Sequence, residues 1–64
     1  MRIAVTTGNI IWSLHNTNEG AHKAKREHEK RFPDYPFSIR RLLSKGGRPG
    51  WQAGDNPSPR YWID

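Results

Sequence analysis

Residues 1–15, Met1-Arg-Ile-Ala-Val-Thr-Thr-Gly-Asn-Ile-Ile-Trp-Ser-Leu-His15, decide the fold. Over residues 1–6, Ile3 and Val5 alternate with Arg2, Ala4 and Thr6, the period-two signature of a strand buried on one side. Thr7-Gly8-Asn9 follows, and Gly8 or Asn9 can take a positive φ at little cost, so the chain turns there. Alternation resumes over 10–15, with Ile10, Trp12 and Leu14 on one face and Ile11, Ser13 and His15 on the other. The stretch reads as a β-hairpin, although its turn is not the common Asn-Gly or Asp-Gly pair.

A hairpin needs cover for its apolar face, and the next segment supplies it. Asn16-Thr-Asn18 is rich in capping side chains. Asn16 with Glu19 makes a capping box, whereas Thr17 has Gly20 at the third position, so Asn16 is the expected cap of a helix over 17–31. Ala21, Ala24, His28 and Phe32 recur at helical spacing and form its inward stripe. Lys23, Arg26, Glu27 and Lys30 form its wet face. Pro33 and Pro36 bracket Asp34-Tyr35 and end the helix.

Phe37-Ser-Ile-Arg-Arg-Leu-Leu43 has two readings. As a strand, Phe37 and Ile39 face the core while Ser38, Arg40 and Leu42 face away. As a helix, Ser38 caps it and Ile39, Leu42 and Leu43 line one side. The strand ranks first, because it completes a sheet for the helix to cover.

The expected fold class is therefore α+β: a small two-layer ββαβ domain, with a three-stranded antiparallel sheet covered by one helix. Its strands lie near 1–6, 10–15 and 36–43, and a right-handed crossover places the third beside the first, in order 2-1-3. Residues 1–43 form this core. Residues 44–64 form an irregular, Gly/Pro-rich, basic C-terminal arm, not a separate domain, which either packs over the sheet or orders on a partner. Within it, Lys45-Gly-Gly-Arg-Pro-Gly50 can sustain neither helix nor strand.

Composition narrows the function classes. A 64-residue chain, 33% hydrophobic with a mean hydropathy of −0.99, holds one domain with a thin core. The absence of cysteine excludes a disulfide staple or a thiolate zinc site. No apolar run approaches the roughly 20 residues of a membrane span or the roughly 7 to 15 of a signal-peptide core. A cytoplasmic protein without a membrane partner is the expectation.

Eleven Lys and Arg against six Asp and Glu give a net charge of +5. The surplus attracts polyanions and acidic protein surfaces. It is concentrated in residues 19–50, and only 51–64 carry a net negative charge, through Asp55 and Asp64 against Arg60.

No cofactor and no catalytic role are expected. Ser13 and His15 share a strand face, with nothing to place Asp34 beside them as a triad would require. His22 and His28 lie six apart, on opposite sides of a helix, and with His15 they do not make a compact metal-binding set. His28 reads as a partly buried residue under the sheet, bonded locally. Ser44-Lys45-Gly46-Gly47 lacks the spacing and the strand-to-helix position of a phosphate-binding Walker loop.

Nucleic-acid binding is the first functional expectation. Arg40, Arg41, Lys45 and Arg48 fall in one segment punctuated by glycines and would meet phosphates, with Trp51 stacking on a base and the helix cations adding to the field. The bland reading is that the helix cations form a solvated face and that the tail aromatics cover the core. The alternative function is a small protein-binding regulator, or an inhibitor of a host nucleic-acid enzyme, that sets its basic surface against an acidic protein surface. There Arg60, Tyr61 and Trp62, in the proline-stiffened terminal segment, would be the anchors. A homodimer through an exposed edge of the hairpin's outer strand is a further possibility.

In its arrangement of hairpin, helix and third strand over residues 1–43, the chain resembles small ββαβ phage proteins, among them inhibitors that bind host RNA polymerase. The resemblance implies a protein-binding module whose charged surface occupies an acidic or nucleic-acid-binding cleft. It carries over no individual residue.

Overall fold

The computed structural model describes residues 2–45 and 50–63. Strand β1 (Arg2–Thr7) and strand β2 (Ile10–His15) form the hairpin, followed by helix α1 (Asn18–Arg31), strand β3 (Phe37–Leu42), a 3-10 turn (Pro59–Tyr61) and strand β4 (Trp62–Ile63). All pairings are antiparallel and the sheet order is β2-β1-β3-β4. The strand reading of residues 37–43 is the one observed. The expected three-stranded ββαβ arrangement is corrected to four strands, since Trp62 and Ile63 pair with Leu42 and Arg41. A two-residue strand has no period of its own, so only its partner defines it.

Gly8 makes the hairpin turn at φ 60°, a backbone conformation open to glycine at no steric cost. Strict alternation along β2 fails. The register slips between Val5 and Thr6: Val5 faces Ser13 but Thr6 faces Ile11, leaving Trp12 as the extra residue of a bulge. Because a one-residue slip reverses the facing of everything beyond it, Ile11 and Leu14 share one face while Trp12, Ser13 and His15 share the other. The expected grouping of Ile10, Trp12 and Leu14 against Ile11, Ser13 and His15 is corrected accordingly.

The bulge gives the sheet two apolar faces. On the helix face, Val5, Phe37 and Ala21 are buried, with Ile3, Trp12, Ala24 and Ile39 packed around them. Ala21 has no exposed surface, which fits a small side chain that lets α1 lie close to the strands. On the opposite face, Ala4, Ile11, Leu42 and Trp62 are buried, with Leu14, Trp51 and Tyr61 packed against them. The C-terminal arm supplies that second cover, so the expected two layers become helix, sheet and arm.

The arm is tied down by backbone bonds at both sheet edges. Ile11 N–H donates to the Asp55 carbonyl at 2.9 Å and Gly54 N–H donates to the Ile11 carbonyl at 2.7 Å. Leu43 N–H donates to the Tyr61 carbonyl at 2.8 Å on the far side. The outer edge of β2, the expected dimer edge, is therefore closed at Ile11.

The helix starts one residue later than expected, and its cap is Thr17 rather than Asn16. Thr17 is extended at φ −132° and ψ 154°, and its hydroxyl accepts from Gly20 N–H at 3.0 Å. A Cβ at Gly20 would lie 3.2 Å from that hydroxyl oxygen and 3.7 Å from His15 Nδ1, so glycine there gives the cap room to close.

Candidate nucleic-acid interface

The structure disperses the cations of the 40–48 segment. Arg40 and Arg41, adjacent in β3, project to opposite faces, as strand geometry requires. Arg40 pairs across from Ala4 and binds inward: its Nη1 donates to the Gly8 carbonyl at 3.1 Å and to Asn9 Oδ1 at 2.9 Å, and its guanidinium lies 4.5 Å from the Trp62 ring centre. These contacts make it a clasp between β3, the hairpin turn and the arm. Arg41 pairs across from Ile3, is exposed, and lines a cleft of about 360 Å³ with Asn18, Ile39, Arg40 and Ile63.

Lys45 and Trp51 come together, with the lysine ammonium 4.9 Å from the indole centre. They line a second cleft, of about 280 Å³, with Arg2, Ser44 and Gly50. Trp51 is not a free stacking surface: its N–H donates to the Leu43 carbonyl at 2.9 Å and its ring packs edge-on to Tyr61 at 5.1 Å. Arg48 lies outside the described residues. Of the tail residues expected as protein anchors, Trp62 is 8% exposed and part of the core, and Tyr61 is half-buried. Arg60 is exposed, donates to the Tyr61 hydroxyl at 3.2 Å and lies 5.1 Å from its ring centre.

A second group of cations lies on α1. With Ala21 inward, the 3.6-residue period places Lys23, Arg26 and Lys30 on the solvent side, interleaved with Glu19 and Glu27, so the face carries three cations against two carboxylates. Lys25, on the flank, is paired with Glu29 at 3.1 Å. Among the described residues, no carboxylate lies within ion-pair distance of Lys23, Arg26 or Lys30. Lys30 and Arg31 also complement the negative end of the helix dipole.

The end of the domain that carries the hairpin turn holds an aromatic cluster whose residues, from the sequence alone, read as core and helix termination. Trp12 sits among four rings: His28 at 5.6 Å, Phe32 at 5.2 Å, Tyr35 at 5.5 Å and Phe37 at 4.9 Å. Phe37 is buried, but Phe32 is 40% exposed and Tyr35 49%, as is Ile10 at 46%, which shares a cross-strand row with Thr7 and Phe37. The available signal was Phe32-Pro-Asp-Tyr-Pro-Phe37, three aromatics in six residues, interleaved with prolines that hold the backbone in a turn.

Between β2 and α1, Ser13 Oγ lies 2.8 Å from His15 Nε2 and 3.3 Å from His28 Nε2. His28 also stacks on Phe37 at 5.5 Å, so it is bonded locally under the sheet as its sequence position implied. Burial lowers the pKa of His15 from its ordinary value of 6.5, and the nearby His28 and Arg2 lower it further. The unfolded chain therefore binds more protons than the folded one below that value. The contribution of His15 to stability is therefore full above pH 6.5, falls as the pH drops below it, and levels off once the folded-state pKa of His15 is passed. Urea midpoints compared at about pH 7.5 and about pH 5.5 are expected to fall in the wild type and to fall less in His15→Gln. Equal falls in the two proteins would contradict the assignment.

Among the described residues, no group of three His, Asp or Glu side chains is placed to hold a metal ion, and no helix is long and apolar enough to cross a membrane. Comparison of the chain with family models, curated proteins and solved structures returns no match.

Proposed function

We propose that the protein binds nucleic acid without catalysis, meeting the phosphate backbone through the solvent side of α1. Lys23, Arg26 and Lys30 are the principal contacts, and Arg41 and Lys45 extend the field from the sheet end nearest the helix start. The observation that carries this reading is the set of three helix cations with no ion-pair partner among the described residues. Cations already neutralised by carboxylates would have to break those pairs before meeting phosphate, whereas these release only water and counterions. Arg40, Trp51 and Trp62 serve the fold in this account, so the arm is a scaffold and not the binding element.

Mapping backbone amide shifts on addition of a single-stranded oligonucleotide tests the reading. Changes are expected to concentrate in residues 22–35 and at Arg41. Changes centred on residues 50–63 with a silent helix, or no changes at about 0.1 M salt, would overturn it.

The second reading, a protein-binding regulator, rests on the far sheet edge. β4 covers β3 only at Arg41 and Leu42, so the outer side of β3 from Phe37 to Ile39 is paired with no described strand. An extended segment of a partner could add there through backbone bonds, with the adjoining Arg41 cleft favouring an acidic sequence.

A further inference from the structure

We infer that the aromatic end of the domain is a base-stacking platform, with Phe32 and Tyr35 taking the faces of unpaired bases, so that the ligand is single-stranded nucleic acid and not duplex. The inference rests on the nucleic-acid reading above and adds to it the class of strand.

Of the four large hydrophobic side chains exposed among the described residues, Phe32 and Tyr35 are in ring contact here and Ile10 lies at the same end of the sheet, in one cross-strand row with Thr7 and Phe37, whereas Leu43 lies elsewhere. Apolar side chains scattered singly over a surface need no explanation, but a contiguous group marks a contact site. The rings are also held in place. Trp12 N–H donates to Thr7 Oγ1 at 2.9 Å and fixes the central indole. Phe32 and Tyr35 both pack on that indole, at 57° and 85° to its plane, and Tyr35 stacks on Phe37 at 6.1 Å and 26°. Backbone bonds from Phe32 N–H to His28, from Tyr35 N–H to Phe32 and from Phe37 N–H to Tyr35 set the loop. A platform already ordered loses little conformational freedom when a ligand settles on it.

Charge decides the occupant. Phe32 directly follows Lys30 and Arg31, whose two charges outnumber that of Asp34 in the loop, and no carboxylate among the described residues is in ion-pair contact with either. A purely apolar partner would bury those cations at a cost in desolvation. A nucleotide chain offers both required features, flat apolar faces for Phe32 and Tyr35 and phosphates for Lys30, Arg31 and Arg26. In a duplex the base faces are stacked on one another and inaccessible, so only an unpaired strand can use the rings.

The test is fluorescence anisotropy with three labelled strands of one length: single-stranded, duplex and abasic. Wild type is expected to bind the single strand about 10- to 100-fold more tightly than either the abasic strand or the duplex, and equal affinity for single strand and duplex would overturn the choice of strand. Phe32→Ala/Tyr35→Ala is expected to lose that advantage while keeping its duplex affinity within about twofold. Phe32→Leu/Tyr35→Leu retains apolar bulk without a π-face and is expected to behave likewise, which separates lost stacking from lost folding. Equal wild-type affinity for single-stranded and abasic strands, or unchanged single-strand binding by both variants, would overturn the platform while leaving phosphate binding intact. Failure to bind any of the three strands would instead overturn the reading beneath it. Tighter binding to a poly-glutamate peptide than to the single strand, abolished in both variants, would reassign the surface to an acidic protein.

Discussion

Trp62→Ala is expected to remove from about a third to all of the folding stability. The ring is 8% exposed and packs with Ala4, Ile11 and Leu42 as the largest buried side chain on the arm face of the sheet. Truncating a buried aromatic costs about 3–5 kcal/mol, through lost transfer energy and the cavity left behind. A chain of 64 residues has about 3–10 kcal/mol to lose, at the usual 0.05–0.15 kcal/mol per residue. Trp62 also supports Arg40, whose bonds to Gly8 and Asn9 clasp the hairpin turn, so its loss reaches across the sheet. The indole N–H is buried with no acceptor among the described residues. Trp62→Phe removes that unsatisfied donor and keeps most of the ring, so it is expected to cost far less than alanine, with a midpoint near that of wild type. Urea unfolding followed by circular dichroism distinguishes the two. A midpoint in Trp62→Ala equal to that of wild type would mean that the arm is an accessory to the fold and not one of its layers.

How much of this was legible in the sequence depends on which residues had a unique reading. The strand over Ile3 and Val5, and the helix through Ala21, Ala24 and His28, have clear periods of two and 3.6, and both lie where those periods place them. The bulge was hidden because Ile10-Ile-Trp-Ser-Leu14 has apolar residues in both registers, and only the pairing with Val5 and Thr6 chooses between them. Placing Trp12 and Ile11 on opposite faces is what creates two apolar surfaces and a use for the arm. The tail aromatics announced a hydrophobic cluster, but whether it folds inward depends on the backbone bonds from Ile11 to Gly54 and Asp55, for which no local pattern exists.

The candidate site divides along the same line. A count of charges located the basic part of the chain but did not separate Arg40, a clasp, from Arg41, which is exposed, since that depends on strand facing and on the reach to Asn9. From the sequence the aromatic end reads as core, because Phe32 and Phe37 are hydrophobic. Its exposure follows from the helix stopping at Arg31, which leaves Phe32 and Tyr35 beyond the edge of the sheet's cover.

Neutralising the helix cations is the second change with a large expected effect, and here it is on binding. Lys23→Gln/Arg26→Gln/Lys30→Gln leaves the fold nearly untouched, because glutamine is a good helix former and the three sites are exposed. Each phosphate contact on a single strand contributes about 0.7 to the slope of log K against log salt. Removing three contacts should therefore lower that slope by about 2 and the affinity at about 0.1 M salt by about 100-fold. Arg60→Gln, on the arm, serves as the control and is expected to change neither quantity.

The most direct measurement is a salt-titrated anisotropy series on one labelled single-stranded oligonucleotide, with the wild type and the triple variant side by side. The account predicts a steep fall of wild-type affinity with salt and a slope shallower by about 2 in the variant. Equal slopes in the two proteins would contradict it.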